Sequence, residues 1–401
     1  MALRVHPSPA RLARPLRRGA GAWPLAWRAW ISHRRGGEGP DEIDLWRDLL
    51  ESFFSRLPGS TALSAATLVQ NLAGANKWSG SILHANGRIY GVPLNSTDIL
   101  IIDPQAGTYT RDALGATLTG TTKFSGAVLG VDGRIYCIPT NSLDILVINP
   151  AAGTAVRDAL GADLSPGTGL FTGGAMAPNG KCFCVPDQPD GFLVIDTLHG
   201  LAYRSHLRGD PLPAAGSAKY AGAVLAPNGK IYGIPRGAVT VAIIDPDRET
   251  VRMEDFGLNL EGANKWFGGV LGPDGKIYCI PFTSTDILVI DPSNDTAVLT
   301  SMGADLTGAT KWLGGVLGPD GKIYAVPFTA NDFLIIDPAT GAATRSALGA
   351  TISGASKWCG GSLAPQGRIY CAPRSAVTVP VLSQGQAVSL EGAKSPFVNK
   401  L

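Results

Sequence analysis

The chain has 401 residues, with 34 basic and 32 acidic side chains, 45% hydrophobic and 7% aromatic residues, 51 Gly and 29 Pro. So much apolar content with so few charges excludes a disordered polyelectrolyte, and the Gly and Pro content suits many short strands joined by tight turns. A formal charge of +2 offers no general basic surface for nucleic acid, and no run of about 18 apolar residues provides a membrane-spanning helix.

The charge is unevenly placed. Residues 1–37 hold eight Arg, from Arg4 to Arg35, and no acidic residue. The rest carries 26 basic against 32 acidic groups, a net of −6. Pro7, Pro9, Pro15 and Pro24 interrupt the apolar residues of this leader, which lacks the continuous apolar stretch of a secretory signal. It reads as a transit peptide for a mitochondrion, with a plastid or a basic cytoplasmic tail as the alternatives.

Residues 38–60 form a separate element. Ile43, Trp46, Leu49, Leu50, Phe53, Phe54 and Leu57 follow helical spacing, with Asp41, Glu42 and Asp44 at the start and Pro58-Gly59 as the stop. This predicts an amphipathic helix that packs on the main domain or uses Trp46, Leu50, Phe53 and Phe54 to dock a protein partner.

From residue 61 to 390 one pattern returns seven times. A Lys-aromatic pair opens a Gly-rich run, an Asn-Gly or Asp-Gly turn follows, and then Ile-Tyr or its equivalent. The aromatic of that last pair falls at Tyr90, Tyr136, Phe183, Tyr232, Tyr278, Tyr324 and Tyr370, spaced 46, 47, 49, 46, 46 and 46 residues apart. A period of this length fits one four-stranded propeller blade.

The fifth copy shows the plan. Trp266 to Leu271 is Gly-rich and suits the strand nearest the axis, where Gly268 and its counterparts permit close approach. Asp274-Gly275 makes a hairpin turn, and Lys276 to Pro281 ends at a Pro that recurs in every copy. Ile287 to Ile290 is continuously apolar, Asp291-Pro292 starts a type I turn, and Thr296 to Thr300 suits an outer edge. The fold class is therefore all-β, a seven-bladed β-propeller of about 46-residue four-stranded repeats with an N-terminal extension containing the amphipathic helix. A strand at Ala66 to Leu72 is expected to complete the last blade, with Gln386 to Leu390 as the competitor, and residues 391–401 form a tail.

The runs Gly-Gly-Val-Leu-Gly-Pro-Asp-Gly-Lys-Ile-Tyr and Leu-Val-Ile-Asp-Pro resemble the generic blade of NHL-repeat, YVTN-repeat and gluconolactonase-like propellers. The resemblance spans about residues 66 to 382 and implies architecture only. The Trp-Asp pair of WD repeats is absent, and no Glu/Asn/Asp set outside the repeats matches the metal site of gluconolactonase-like enzymes.

Two charged positions recur on loops of one face. Lys77, Lys123, Lys219, Lys265, Lys311 and Lys357 precede the inner strands, and Asp98, Asp144, Asp286 and Asp332 precede the third strands. Pairing of Lys with Asp is the structural expectation. Blades 4 and 7 lack that Asp and carry Arg236 and Arg374 directly after the recurring Pro, which leaves the face positive. Those six Lys with Arg236 and Arg374 are the candidate ligand-binding set for a small anion or an acidic protein segment. Five scattered His and no nucleophile or phosphate-loop motif give no catalytic set, and no metal or cofactor is expected. The six Cys have neither zinc nor disulfide spacing and read as buried thiols. The expected function is a non-catalytic binding or assembly module. The alternatives are a lactonase- or lyase-type enzyme with a divalent metal in the channel, and a structural subunit of an organellar complex.

Overall fold

The computed structural model describes residues 63–68, 72–165, 167–213 and 218–384. The Arg-rich leader, the segment with Trp46, Leu50, Phe53 and Phe54, and the C-terminal tail lie outside the described residues.

Seven antiparallel sheets follow one another around an axis. In blade 5 the order from the axis outward is Trp266–Leu271, Ile277–Pro281, Ile287–Asp291 and Thr296–Thr300. Blade 7 takes three strands from its own repeat and its outermost strand, Leu63–Leu68, from the start of the ring. That strand begins three residues before the expected Ala66 and pairs along the whole of Val379–Gln384, from Leu63 opposite Gln384 to Leu68 opposite Val379. Blade 4 gains a short fifth strand, Arg208–Gly209, parallel to Thr250–Glu254.

The core lies between blades. Tyr278, Ile280 and Ile287 of blade 5 pack with Trp312, Ile323, Leu334 and Ile336 of blade 6, and this pairing is repeated round the ring. The aromatic that opens each inner strand is buried, from Trp78 to Trp358. Each fully buried aromatic contributes roughly 2–3 kcal/mol of hydrophobic stabilisation. Its polar end is satisfied too: Trp266 and Trp312 donate their indole N–H to the carbonyls of Asp286 and Asp332, both at 2.8 Å. The third strands are apolar on both faces because both faces meet neighbours.

At the axis each inner strand carries a bulge between its first and fourth residues, such as Trp266 and Gly269. The bulge places Gly80, Gly126, Gly173, Gly222, Gly268, Gly314 and Gly360 at positive φ, and each Cα faces the next blade's glycine. A Cβ at Gly173 would lie 2.9 Å from the Cα of Gly222, so the ring closes only with hydrogen at this position.

All six cysteines are free and buried, as the sequence suggests. Burial pushes the thiols of Cys137, Cys279 and Cys371 far up.

Candidate functional site

The six recurring lysines are not a surface. Each is only 3–5% exposed. Their ammonium groups donate to backbone carbonyls, and those of Lys77, Lys265 and Lys311 do so both in the loop that leads into their own strand and in the preceding blade. Lys265 Nζ reaches Gly262 O at 2.8 Å and Ala238 O at 3.0 Å, and Lys311 Nζ reaches Gly308 O at 2.8 Å and Ser284 O at 3.0 Å. Lys77 does the same across the closure, from Gly74 O to Ala376 O. Lys219 reaches Gln188 O, Lys123 reaches Gly120 O and Lys357 reaches Gly354 O. The ammonium of Lys265 also lies 5.6 Å from the Trp266 ring, and that of Lys311 5.8 Å from Trp312.

The expected Lys–Asp pairing is replaced by another. Asp98, Asp144 and Asp332 pair with Arg111, Arg157 and Arg345 from the outer strands, at 2.7 to 3.0 Å. A short carboxylate before the third strand meets a long guanidinium on the adjacent outer strand, while each lysine turns inward to the seam. Lys265→Met removes three donors from buried carbonyls and is expected to cost about 2–4 kcal/mol. A denaturant midpoint within experimental error of the parent would contradict a stapling role.

Burial of these amines has a consequence for pH. Lys77, Lys123, Lys265 and Lys311 are held down to about 8 from 10.5, in each case chiefly by burial. Between those values the unfolded chain binds more protons than the folded one, so stability rises with pH. The buried thiols, ordinarily 9.0, and Tyr220 and Tyr370, pushed up by burial to about 12, act oppositely. They keep protons that the unfolded chain gives up, so stability falls as pH climbs past their ordinary values. A melting temperature that peaks at about pH 9 is expected. A steady fall from pH 7 upward would contradict it.

A different ring faces the axis. The residue after each recurring Pro donates its N–H to the carbonyl at its own blade's Lys position and accepts at its carbonyl from the N–H of the next blade's equivalent. Phe282 N to Lys265 O is 2.8 Å and Lys311 N to Phe282 O is 2.9 Å. The belt runs unbroken through all seven blades, with Leu170 in the Lys position of blade 3, and closes with Lys77 N to Arg374 O at 2.7 Å. It fixes the main chain independently of side chain. The seven side chains differ: Leu94, Thr140, Asp187, Arg236, Phe282, Phe328 and Arg374. Beneath them the second residues of the inner strands are Ser79, Ser125, Thr172, Ala221, Phe267, Leu313 and Cys359. Together the two tiers surround the axis at one end of the glycine ring, and this axial site is termed the dish.

One arc of the dish is apolar. Phe282 stacks at 5.7 Å from Phe267 and 5.6 Å from Phe328, tilted in both cases, and it packs with Leu313 and Cys359. An Arg flanks each side. Arg236 Nε donates to Asn264 Oδ1 at 2.7 Å, with its guanidinium 5.2 Å from the Phe267 ring. Arg374 repeats this with Asn76 at 2.9 Å and Phe328 at 5.5 Å. Both asparagines sit at positive φ, 55° and 51°, a conformation that Asn tolerates better than most residues.

The two guanidinia are near enough for the charge of Arg374 to lower the affinity of Arg236 for its proton, adding to the larger effect of burial. Arg236 Nη1 lies 3.5 Å from Asp187 Oδ1. Arg374 makes no ion pair among the described residues. Burial holds the Asp187 carboxyl above its usual range against the opposing charges of Arg236 and Lys219.

Of the eight residues singled out from sequence, the structure brings Arg236 and Arg374 together and commits the six lysines to the blade seams. Phe267, Phe282 and Phe328 were missed. Phe282 and Phe328 lie at the position after the recurring Pro, the one place in the repeat where every class of side chain occurs, whereas Phe267 carried no such signal.

His84 lies at a hairpin turn, and His199 and His206 on the outer part of blade 3. Among the described residues no three His, Cys, Asp or Glu side chains are grouped to hold a metal ion, and no helix is long and apolar enough to cross a membrane.

No protein-family profile and no curated protein matches the chain. Among solved structures it is similar to a streptogramin B lyase, with a TM-score of 0.65 and 15% identity, covering 81% of this chain and 98% of that one. It is also similar to a catalytically inactive virginiamycin B lyase from Staphylococcus aureus with quinupristin, at TM-score 0.64 and 14% identity over 80% of this chain and 100% of that one. A third is the WD40 β-propeller domain of Doa1, at TM-score 0.56 and 13% identity over 82% and 98%. At such identities the likeness carries the fold, a seven-bladed β-propeller, and no activity.

Proposed function

We propose that the protein is a non-catalytic binding module whose axial dish takes a small anionic ligand. The observation that supports this most is the Arg pair. Arg236 and Arg374 are each fixed at Nε by an Asn and laid over a Phe, and Arg374 lacks a carboxylate of its own among the described residues. Fixed guanidinia with apolar backing are well suited to an acid with an apolar body, because little conformational freedom is lost on binding. This narrows the positive face read from the sequence to two residues.

The Arg-rich leader supports import into a mitochondrion as part of the same proposal, and sequencing the mature N-terminus from cells checks it. A start near residue 36 supports import, and an intact Met1 refutes it. Binding is tested by a thermal-shift screen of purified protein against small carboxylates, sulfates and phosphates. Acids with an apolar body are expected to raise the melting temperature most. Stabilisation by cations or neutral sugars alone would overturn the proposal.

A further inference from the structure

We propose that the ligand is an aromatic monocarboxylate bearing a hydroxyl or N–H donor at the end away from the acid, that is, a hydroxyaryl-type acid. This rests on the anion-binding reading above and specifies its chemistry.

Three features of the dish converge on that class. The first is the apolar arc. Phe267, Phe282 and Phe328 are tilted to one another by 54° and 53°, so they present ring edges and faces rather than one flat wall, the arrangement that accepts a further ring.

The second is charge. Asp187 and Arg236 already face each other, which leaves the charge of Arg374 to be balanced by one negative group on the ligand. The ammonium groups of Lys265 and Lys311, on the same side of the ring as the phenyl arc, each donate to three carbonyls.

The third is the polarity of the arc opposite. Thr140 Oγ1 donates to Phe171 O and Thr172 Oγ1 to Tyr220 O, so both hydroxyl protons are committed and only lone pairs remain. Asp187, 8% exposed, has a buried Oδ1 with no hydrogen-bond partner, since its contact to Arg236 is an ion pair at 3.5 Å without hydrogen-bond geometry. This arc therefore offers acceptors and needs a donor, which a buried unpartnered carboxylate oxygen rewards strongly. Blade 3, with Asp187, lies across the axis from blade 7, with Arg374. A ligand that spans the dish thus meets a cation at one end, an acceptor at the other and phenyl rings along its side.

The test titrates the full-length protein by calorimetry with 4-hydroxybenzoate, 4-methoxybenzoate, benzoate and inorganic phosphate. 4-Hydroxybenzoate is expected to bind about tenfold or more tighter than the other two aromatic acids, the equivalent of one hydrogen bond to a charged group. Asp187→Asn should shrink that preference, and Arg374→Ala should weaken all three acids. Equal affinity for the three acids, or binding of phosphate but of no aromatic acid, overturns this inference and leaves the anion site standing. Binding of none of the four, or binding that survives Arg236→Ala with Arg374→Ala, overturns the anion site itself. The comparison among ligands needs only the parent protein, so a poorly folding variant does not remove the test.

Discussion

Gly173→Val is expected to prevent the ring from closing. Gly173 has φ +90°, and its added Cβ would stand 2.9 Å from the Cα and 3.3 Å from the N of Gly222. The obstacle is backbone, so no side chain can rotate away. A β-branched residue is strained at that φ as well. Strain and overlap together should cost more than about 4 kcal/mol, a large fraction of the stability of a typical domain. The variant should be recovered insoluble or with a sharply lowered denaturation midpoint. Gly200→Ala is the control, with φ +65° and nothing within 4 Å of the new Cβ, and should cost only about 1 kcal/mol. Equal stability of Gly173→Val and the parent would show that the blades do not meet at the axis as described.

Arg236→Ala combined with Arg374→Ala is expected to abolish acid binding, by about 100-fold or more, while the fold survives. Both residues contribute main-chain N–H and C=O to the belt round the axis, and alanine keeps those bonds: Arg236 N to Lys219 O at 2.9 Å and Lys265 N to Arg236 O at 2.8 Å. What goes is two guanidinia held over Phe267 and Phe328. Charge-assisted contacts of this kind contribute a few kcal/mol each to a bound anion, which supports the magnitude. The single variants should each retain part of the affinity. Unchanged affinity in the double variant would place the ligand elsewhere. One such place is the surface depression of about 490 Å³ lined by His206, Arg208 and Arg248.

Most of the architecture was legible from the repeat. The 46-residue period, the turn glycines and the recurring Pro identify the blade because each reports a local backbone requirement that sequence displays directly. The seam chemistry was not. A Lys before six of the seven inner strands and an Asp before four third strands look like partners when read along the chain. Their actual partners, the carbonyls of the preceding blade for Lys311 and the outer-strand Arg345 for Asp332, depend on the direction each side chain leaves its strand.

The site was half legible. Arg236 and Arg374 stood out because they break the pattern, whereas Phe282 and Phe328 fill their positions with an ordinary hydrophobe. Only the closed ring shows that these positions converge. The closing strand was expected on the right side of the ring but three residues late, since Ala65 and Ala66 carry no pattern that fixes a register.

The most direct measurement is anomalous diffraction from crystals soaked in 4-bromobenzoate. The expected result is a bromine peak in the dish beside Phe282 and Phe328, with the carboxylate on Arg374. A peak confined to the outer depression beside Arg208 and Arg248, or no ordered ligand at saturating acid, would contradict an anion site on the propeller axis.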